Sequence, residues 1–328
     1  NSSAVAAGHY EYNYMNVARG RCPFDSTWLK SGLSTNADGL DFREYFAFYG
    51  LDNLMHLESH EVQVLNVPVD GGQNIVVQTF KPAQPRGWAL FHHGYYDHAG
   101  LFAYIYAYLL ERHVAVIAFD QIGHGLSTGQ AATISTFDHY VKVIEAVIDG
   151  VCATVNPPLH LVGQSMGGAL LLEYLHRHPE REGGETVLLA PLVRPYAWWI
   201  NRIYFYFAKR FMTERPRRIT SNASNAEFLY LQHHDPLQAR VLPVEWVEAM
   251  VEWFTRFERY PVSSRAPRIV QGHQDRTISW RHSIDVLGSQ YPEASWCHID
   301  AASHHLANES DAIRSQMFTW LDEHCRWV

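Results

Sequence analysis

Cysteine, long apolar runs and positive charge are all scarce in this chain of 328 residues. The four cysteines, Cys22, Cys152, Cys297 and Cys325, lie far apart, which excludes the dense disulfide framework of a small secreted domain and points to free, mostly buried thiols. No stretch reaches the ~18 apolar residues of a membrane span. The N-terminus has no basic-then-apolar signal pattern, so a cytoplasmic location is expected, although the start at Asn1 rather than Met is compatible with a leader removed by processing. Lys and Arg total 26 against 34 Asp and Glu, a net charge of −8 that argues against a nucleic-acid surface. The 20 histidines include no H-E-x-x-H and the cysteines no paired C-x-x-C, so no metal is expected.

The length suits one α/β domain with an insertion, or two small domains. Residues 1–40 are rich in Asn, Ser, Gly and Ala without a clear period and read as an irregular arm, partly ordered by Tyr10, Tyr12 and Tyr14. A hairpin is expected from Val62 to Lys81 around Asp70-Gly71-Gly72. Apolar runs at Trp88–Phe91, Val114–Phe119, Leu159–Val162, Val187–Ala190 and Arg268–Gln271 read as parallel strands covered on both faces, with a last strand at Ser295–Ile299. Between them lie helical patterns at Leu101–Leu110, Ala169–Tyr174 and Phe137–Ile148, then a terminal one from Asp311 to about His324. Repeated βα units behind an opening hairpin specify a mostly parallel, doubly wound sheet. The rhythm breaks between residues 192 and 267, where no strand is expected; this segment reads as a helical cap over the C-terminal edge of a core formed by residues 41–191 and 268–328.

Gly163-Gln164-Ser165-Met166-Gly167 fits G-x-S-x-G at the point where a strand turns into a helix. The flanking glycines remove Cβ atoms that would clash in such a turn, so Ser165 is pushed outward as a candidate nucleophile and the N–H of Met166 opens the helix as an oxyanion donor. The pentapeptide alone also arises by chance in glycine-rich loops. Its partners follow at expected places. Asp275, 110 residues later, sits on the loop after the Arg268–Gln271 strand; His304, a further 29 residues on, follows the last strand and precedes the last helix. Ser, then Asp, then His is the chain order of α/β-hydrolases, and it differs from the orders of chymotrypsin and subtilisin.

From about Val62 to the C-terminus the chain resembles the α/β-hydrolases of the monoacylglycerol lipase and lysophospholipase branch. The motifs are His93-Gly94-Tyr95-Tyr96-Asp97-His98, Asp120-Gln121-Ile122-Gly123-His124-Gly125-Leu126-Ser127, the Ser165 pentapeptide with Gly168, Gly272-His273-Gln274-Asp275 and His304-His305-Leu306-Ala307-Asn308-Glu309. The resemblance implies an α/β-hydrolase fold, hydrolysis of single-chain lipid esters and a second oxyanion donor at the N–H of Tyr95. His305 departs from the family's usual Glu; Leu306, Asn308 and Glu309 set the register that favours His304 as the base. Asp300 is the alternative acid to Asp275. His92, His93 and Asp120 read as hydrogen-bonding scaffold, and His233-His234-Asp235 as polar cap surface rather than a metal site.

The mechanism implied is acyl transfer through a covalent intermediate, with no cofactor. Within the cap, Trp198, Trp199 and Phe205 are candidate acyl-chain contacts, flanked by Phe207 and Phe211. Lys209, Arg210, Arg215, Arg217 and Arg218 read as a basic cluster facing an anionic membrane surface. The same aromatics could instead pack the cap onto the core. Other hydrolases on the fold compete: an aminopeptidase, for which Glu214, Glu227 or Glu245 would anchor the substrate amine, a short-chain esterase or a carbon–carbon bond hydrolase. A non-catalytic binding protein on the fold is disfavoured by the complete Ser, Asp, His set. The oligomeric state is not legible.

Overall fold

The computed structural model describes residues 24–34, 40–55, 61–151 and 158–327. Tyr10, Tyr12, Tyr14, Cys22 and Cys152 fall outside them. Three short helices open the fold: α1 (Ser26–Ser34), α2 (Arg43–Phe48) and α3 (Asp52–Met55). They are followed by β1 (Glu61–Val69), β2 (Gln73–Lys81), β3 (Gly87–His92), α4 (Ala103–Leu110), β4 (Val114–Phe119), α5 (Phe137–Gly150), β5 (Leu159–Gln164), α6 (Met166–Arg177) and β6 (Thr186–Leu189). After β6 come α7 (Trp198–Ala208), β7 (Glu214–Pro216), α8 (Ala226–His234), β8 (Val241–Pro243) and α9 (Val244–Phe257). The chain then returns through β9 (Arg268–Gly272), α10 (Trp280–Gln290), β10 (Ser295–Ile299) and α11 (Asp311–His324).

One eight-stranded sheet has the order β1-β2-β4-β3-β5-β6-β9-β10. The β1/β2 and β2/β4 pairs are antiparallel and all others parallel. The hairpin turns at Gly71 and Gly72, whose φ values of 79° and 74° are left-handed and suit glycine. β4 is buried along its whole length and α4 on every side, as their unbroken apolar composition requires. Polar side chains cap α5 and α8: Thr136 accepts from the N–H of Asp138 at α5, and Asn225 from those of Glu227 and Phe228 at α8.

Two expectations change. The arm is not irregular throughout, because Ser26–Ser34 is helical and Phe24, Leu29 and Leu33 are buried in the core; a Ser- and Gly-rich helix is stabilised here by tertiary packing that propensity does not report. The segment after β6 is also not free of strands. Glu214–Pro216 and Val241–Pro243 pair antiparallel as a two-stranded ribbon, too short for a period-two pattern to show. Its last helix, α9, packs on the core: Trp253 stacks on Phe137 of α5 at 5.4 Å and its indole N–H donates to Glu173 of α6 at 3.0 Å.

The turn from β5 into α6 has no room for side chains at its glycines. A Cβ on Gly167 would lie 2.1 Å from the carbonyl oxygen of His92, and one on Gly163 2.7 Å from the backbone of Gly167 and Gly168. Gly167→Ala is therefore expected to cost ~3 kcal/mol or to prevent folding. Gly288→Ala, on open space in α10, should stabilise by about 0.5–1 kcal/mol. Urea titration of the two variants checks the contrast.

Candidate active site

Ser165 is held at φ 52° and ψ −115° between the last residue of β5 and the first of α6. A non-glycine residue in that region stores about 1–3 kcal/mol, which the surrounding packing must offset. Its N–H donates to Leu189 at 2.8 Å, and its carbonyl accepts from Ala169 and Leu192, both at 3.1 Å. These bonds tie the strained turn to β6 and to its own helix. The side chain is left projecting from the C-terminal edge of the sheet.

His304 and Asp275 meet Ser165 there. The Ser165 hydroxyl donates to His304 Nε2 at 2.9 Å, and His304 Nδ1–H donates to Asp275 Oδ2 at 2.7 Å. All three residues are buried. Asp275 Oδ1 also accepts from the N–H of Thr277 at 2.8 Å and of Ile278 at 3.0 Å. Burial opposes the carboxylate's charge, yet the neighbouring His304 and these two amides more than compensate and hold Asp275 below the usual range. Asp300 lies elsewhere: its side chain is 93% exposed and pairs with His273. His305 points away from Ser165 and pairs with Asp97 at 3.1 Å. The His304 carbonyl accepts from Gln164 at 2.9 Å, so the residue before Ser165 also fixes the histidine loop.

The loop of residues 93–98 borders Ser165 on its other side. A Cβ at Gly94 would lie 3.4 Å from the Cβ of Ser165, so the backbone leading into Tyr95 runs against the serine. Among the described residues neither the N–H of Tyr95 nor that of Met166 donates to a backbone carbonyl. Behind this loop, His92 and His93 are the scaffold expected of them. His92 Nδ1–H donates to the His93 carbonyl, His93 Nδ1–H to that of Gly94, and His93 Nε2 accepts from the N–H of Gln121. Asp120 accepts from the N–H groups of Ala99 and Leu126, both at 2.7 Å, which joins the loop to the Gly123–Gly125 turn.

Several residues that sequence reasoning gave no role, or another role, surround this loop. Trp246 of α9 stacks on Tyr95 with ring centroids 3.6 Å apart. Arg217, expected in a basic surface cluster, instead lies 4.0 Å above the Tyr96 ring and donates to Gln238 at 2.7 Å; it follows β7 directly and turns inward, where composition alone predicts an outward charge. Asp235, expected on a polar surface, is fully buried, accepting from His98 Nε2 at 2.9 Å and Tyr49 Oη at 2.7 Å. Glu309 accepts from the N–H of Ser224 at 2.6 Å and of Ser303 at 2.5 Å. Asp97-His98 and Glu309 stood inside quoted motifs, whereas nothing in sequence joins Trp246 to a tyrosine 151 residues earlier.

The candidate acyl contacts separate by helical phase. Trp198 and Phe205, seven residues apart, are half-buried, with Trp198 edge-on to Phe254 of α9 at 5.4 Å. Trp199 is 64% exposed and turned outward with Ile200, Ile203, Tyr204 and Phe207, so it lines no interior tunnel. Phe211 is 87% exposed. Glu214, Glu227 and Glu245 are all exposed. Cys297 and Cys325 are free and buried. Among the described residues no three His, Cys, Asp or Glu side chains are grouped so as to hold a metal ion, and no helix is long and apolar enough to cross a membrane.

A mostly parallel eight-stranded sheet with a serine on the turn between its central strand and the following helix defines an α/β-hydrolase. Residues 83–311 match the family model described as serine aminopeptidase, S33, and the chain belongs to that family. Mouse monoglyceride lipase is 30% identical over 265 residues, covering 76% of this chain and 87% of the mouse protein. The monoacylglycerol lipase of Mycolicibacterium smegmatis is 31% identical over 129 residues, which cover 38% of this chain and 45% of that protein. The chain spans less than half the length of the first curated relatives it matches. A soluble variant of monoglyceride lipase from Saccharomyces cerevisiae, solved with a substrate analogue, shares the fold at a TM-score of 0.69 and 18% identity, over 81% of this chain and 95% of that one. Within the superfamily the chain falls in the monoacylglycerol lipase branch.

Burial lowers the pKa of three imidazoles behind the loop: His92 to about 3, His93 well below its ordinary value, and His124 to about 4. The unfolded chain takes up these protons near pH 6.5 and the folded chain does not, so the stability they contribute is present above that pH and lost as pH falls toward 4. Each group adds up to about 1.4 kcal/mol per pH unit across that window. Urea titrations between pH 7 and 5 should show the loss, and His124→Asn should reduce its slope by about one group.

Proposed function

We propose that the protein is a serine carboxylic-ester hydrolase that cleaves single-chain lipid esters, monoacylglycerols or lysophospholipids, through an acyl-enzyme intermediate. The observation that carries this reading is the unbroken Ser165–His304–Asp275 relay beside the Gly94–Tyr95 backbone. Ser165 Oγ attacks the ester carbonyl as its proton passes to His304 Nε2, while Asp275 holds the ring's tautomer and stabilises the imidazolium. The N–H groups of Tyr95 and Met166 stabilise the oxyanion, each such donor typically contributing about 3 kcal/mol. His304 then protonates the leaving alcohol and activates water for deacylation. No step calls for a cofactor.

Residues 192–267 act as a cap in this reading, and α7 is its lipid-facing element. Support comes from the outward aromatic face of Trp199, Ile203, Tyr204 and Phe207 beside Arg202, Lys209 and Arg210, a pattern suited to an interface with anionic headgroups. The names of the mouse and M. smegmatis relatives agree with a monoacylglycerol substrate. An aminopeptidase would need a carboxylate beside the nucleophile to receive the substrate amine, and the exposure of Glu214, Glu227 and Glu245 favours an ester over a peptide.

Ser165→Ala, His304→Ala and Asp275→Asn are expected to fold normally and to lose most esterase activity, by about 10⁴-fold or more for the serine, with losses that do not add on combination. Hydrolysis of p-nitrophenyl butyrate and labelling by a fluorophosphonate probe check this. Full activity in Ser165→Ala would remove the serine mechanism.

Trp199→Ala combined with Phe207→Ala should reduce monoacylglycerol hydrolysis on anionic vesicles while leaving soluble butyrate esters at wild-type rates. Neutralising Arg202 and Arg210 should weaken the dependence on anionic lipid in the same assay. Equal losses on vesicles and on soluble esters would reduce the assignment to a general carboxylesterase.

A further inference from the structure

We infer that the cap holds the oxyanion loop in its working geometry, and that Trp246 and Arg217 are positioning residues for the Tyr95 N–H. The inference rests on the reading of Ser165 as nucleophile and Tyr95 as oxyanion donor.

Residues 95–98 carry the argument, because partners on residues 192–267 or on the histidine loop grip each in turn. The Tyr95 ring lies between that of Trp246, at 3.6 Å and 14° from parallel, and that of Tyr96 at 4.1 Å, while its hydroxyl donates to the Ala132 carbonyl at 2.7 Å. Tyr96 keeps a left-handed φ of 71° that a tyrosine rarely adopts, and Arg217 closes over its ring at 4.0 Å. Asp97 closes a turn by donating its N–H to the Gly94 carbonyl at 3.1 Å and pairs with His305, whose own N–H donates to Asn222 at 2.8 Å. His98 donates to Asp235 at 2.9 Å. A strained residue next to the donor persists only where the surrounding structure holds it, and the turn bond from Asp97 alone does not fix the Tyr95 and Tyr96 side chains. Side chains from β8's successor helix α9, from the residue after β7 and from the end of α8 supply the restraint.

The oxyanion hole acts only if its donors are already placed where negative charge develops. Trp246 is suited to place one of them, since α9 is fixed to α5 and α6 through Trp253. The Tyr95 side chain therefore transmits the position of a core-anchored helix to its own amide. Arg217, held by Gln238, restrains the next residue by closing over the Tyr96 ring.

Trp246→Leu, which keeps an apolar side chain but no ring, and Arg217→Leu, which removes the cation over Tyr96, test this directly. Each should lower kcat on p-nitrophenyl butyrate by about tenfold to a hundredfold with little change in KM, short of the ~10²–10³-fold cost of deleting a donor. Trp246→Phe should restore most of the rate. The distinguishing readout is binding of a long-chain trifluoromethyl ketone: Ser165 Oγ adds to its carbonyl, the serine proton passes to His304, and the alkoxide occupies the oxyanion hole. Its affinity should fall in proportion to kcat, while that of the corresponding methyl ketone, bound without addition, should not change. If both leucine variants keep wild-type kcat, or lose rate with trifluoromethyl ketone affinity intact, the inference is overturned. If Trp246→Leu fails to fold, Arg217→Leu and Trp246→Phe decide by the same measurements. Activity retained in Ser165→Ala would instead overturn the nucleophile reading beneath it.

Discussion

The approach of α6 to the end of β3 is the constraint on which the site depends. Gly167 lies so close to the carbonyl of His92 that no side chain fits between them, and that proximity keeps Ser165 in a conformation it would not otherwise hold. Because β3 continues directly into the loop of Gly94 and Tyr95, one contact sets both the serine and the loop against it. The imidazoles of His92 and His93, buried and held neutral, fill the space behind with directed hydrogen bonds. Backbone proximity comes first, and the chemistry of the side chains follows.

The histidine side of the site is assembled over longer distances. Gln164 reaches the carbonyl of His304, Glu309 spans Ser303 and Ser224, and Asn222 receives the N–H of His305. The loop bearing His304 is thus fixed from the β5–α6 turn on one side and from the segment after β6 on the other. Asp275 needs less help, since the turn to Thr277 and Ile278 satisfies its second oxygen locally.

Local signals in the sequence were reliable where the structure is locally determined. The strands and the hairpin follow from apolar runs and from Asp70-Gly71-Gly72, and Ser295–Ile299 matches to the residue. The positions of Ser165, Asp275 and His304 at strand ends could be read because each follows a buried run that leaves the chain at the same edge. What escaped depends on tertiary context. Helix α1 folds because Leu29 and Leu33 find a core, and the β7/β8 ribbon is three residues long on each strand. Arg217 and Asp235 were misjudged for a related reason: a charged residue in a polar stretch reads as solvated until a buried partner is known. Trp199 and Trp198 are identical as letters, and only helical phase sends one outward.

Helix α9 belongs to two regions at once. Its middle, with Trp253 on Phe137 and Glu173, is built into the layer formed by α5 and α6, and its first turn reaches the loop beside Ser165. The amides of its buried middle should therefore exchange with solvent only on global unfolding, whereas those of α7, which has no fully buried residue, exchange through local opening. The boundary between rigid and yielding backbone then runs through the segment after β6 rather than around it. Opening of α7 would leave the wall of the site standing.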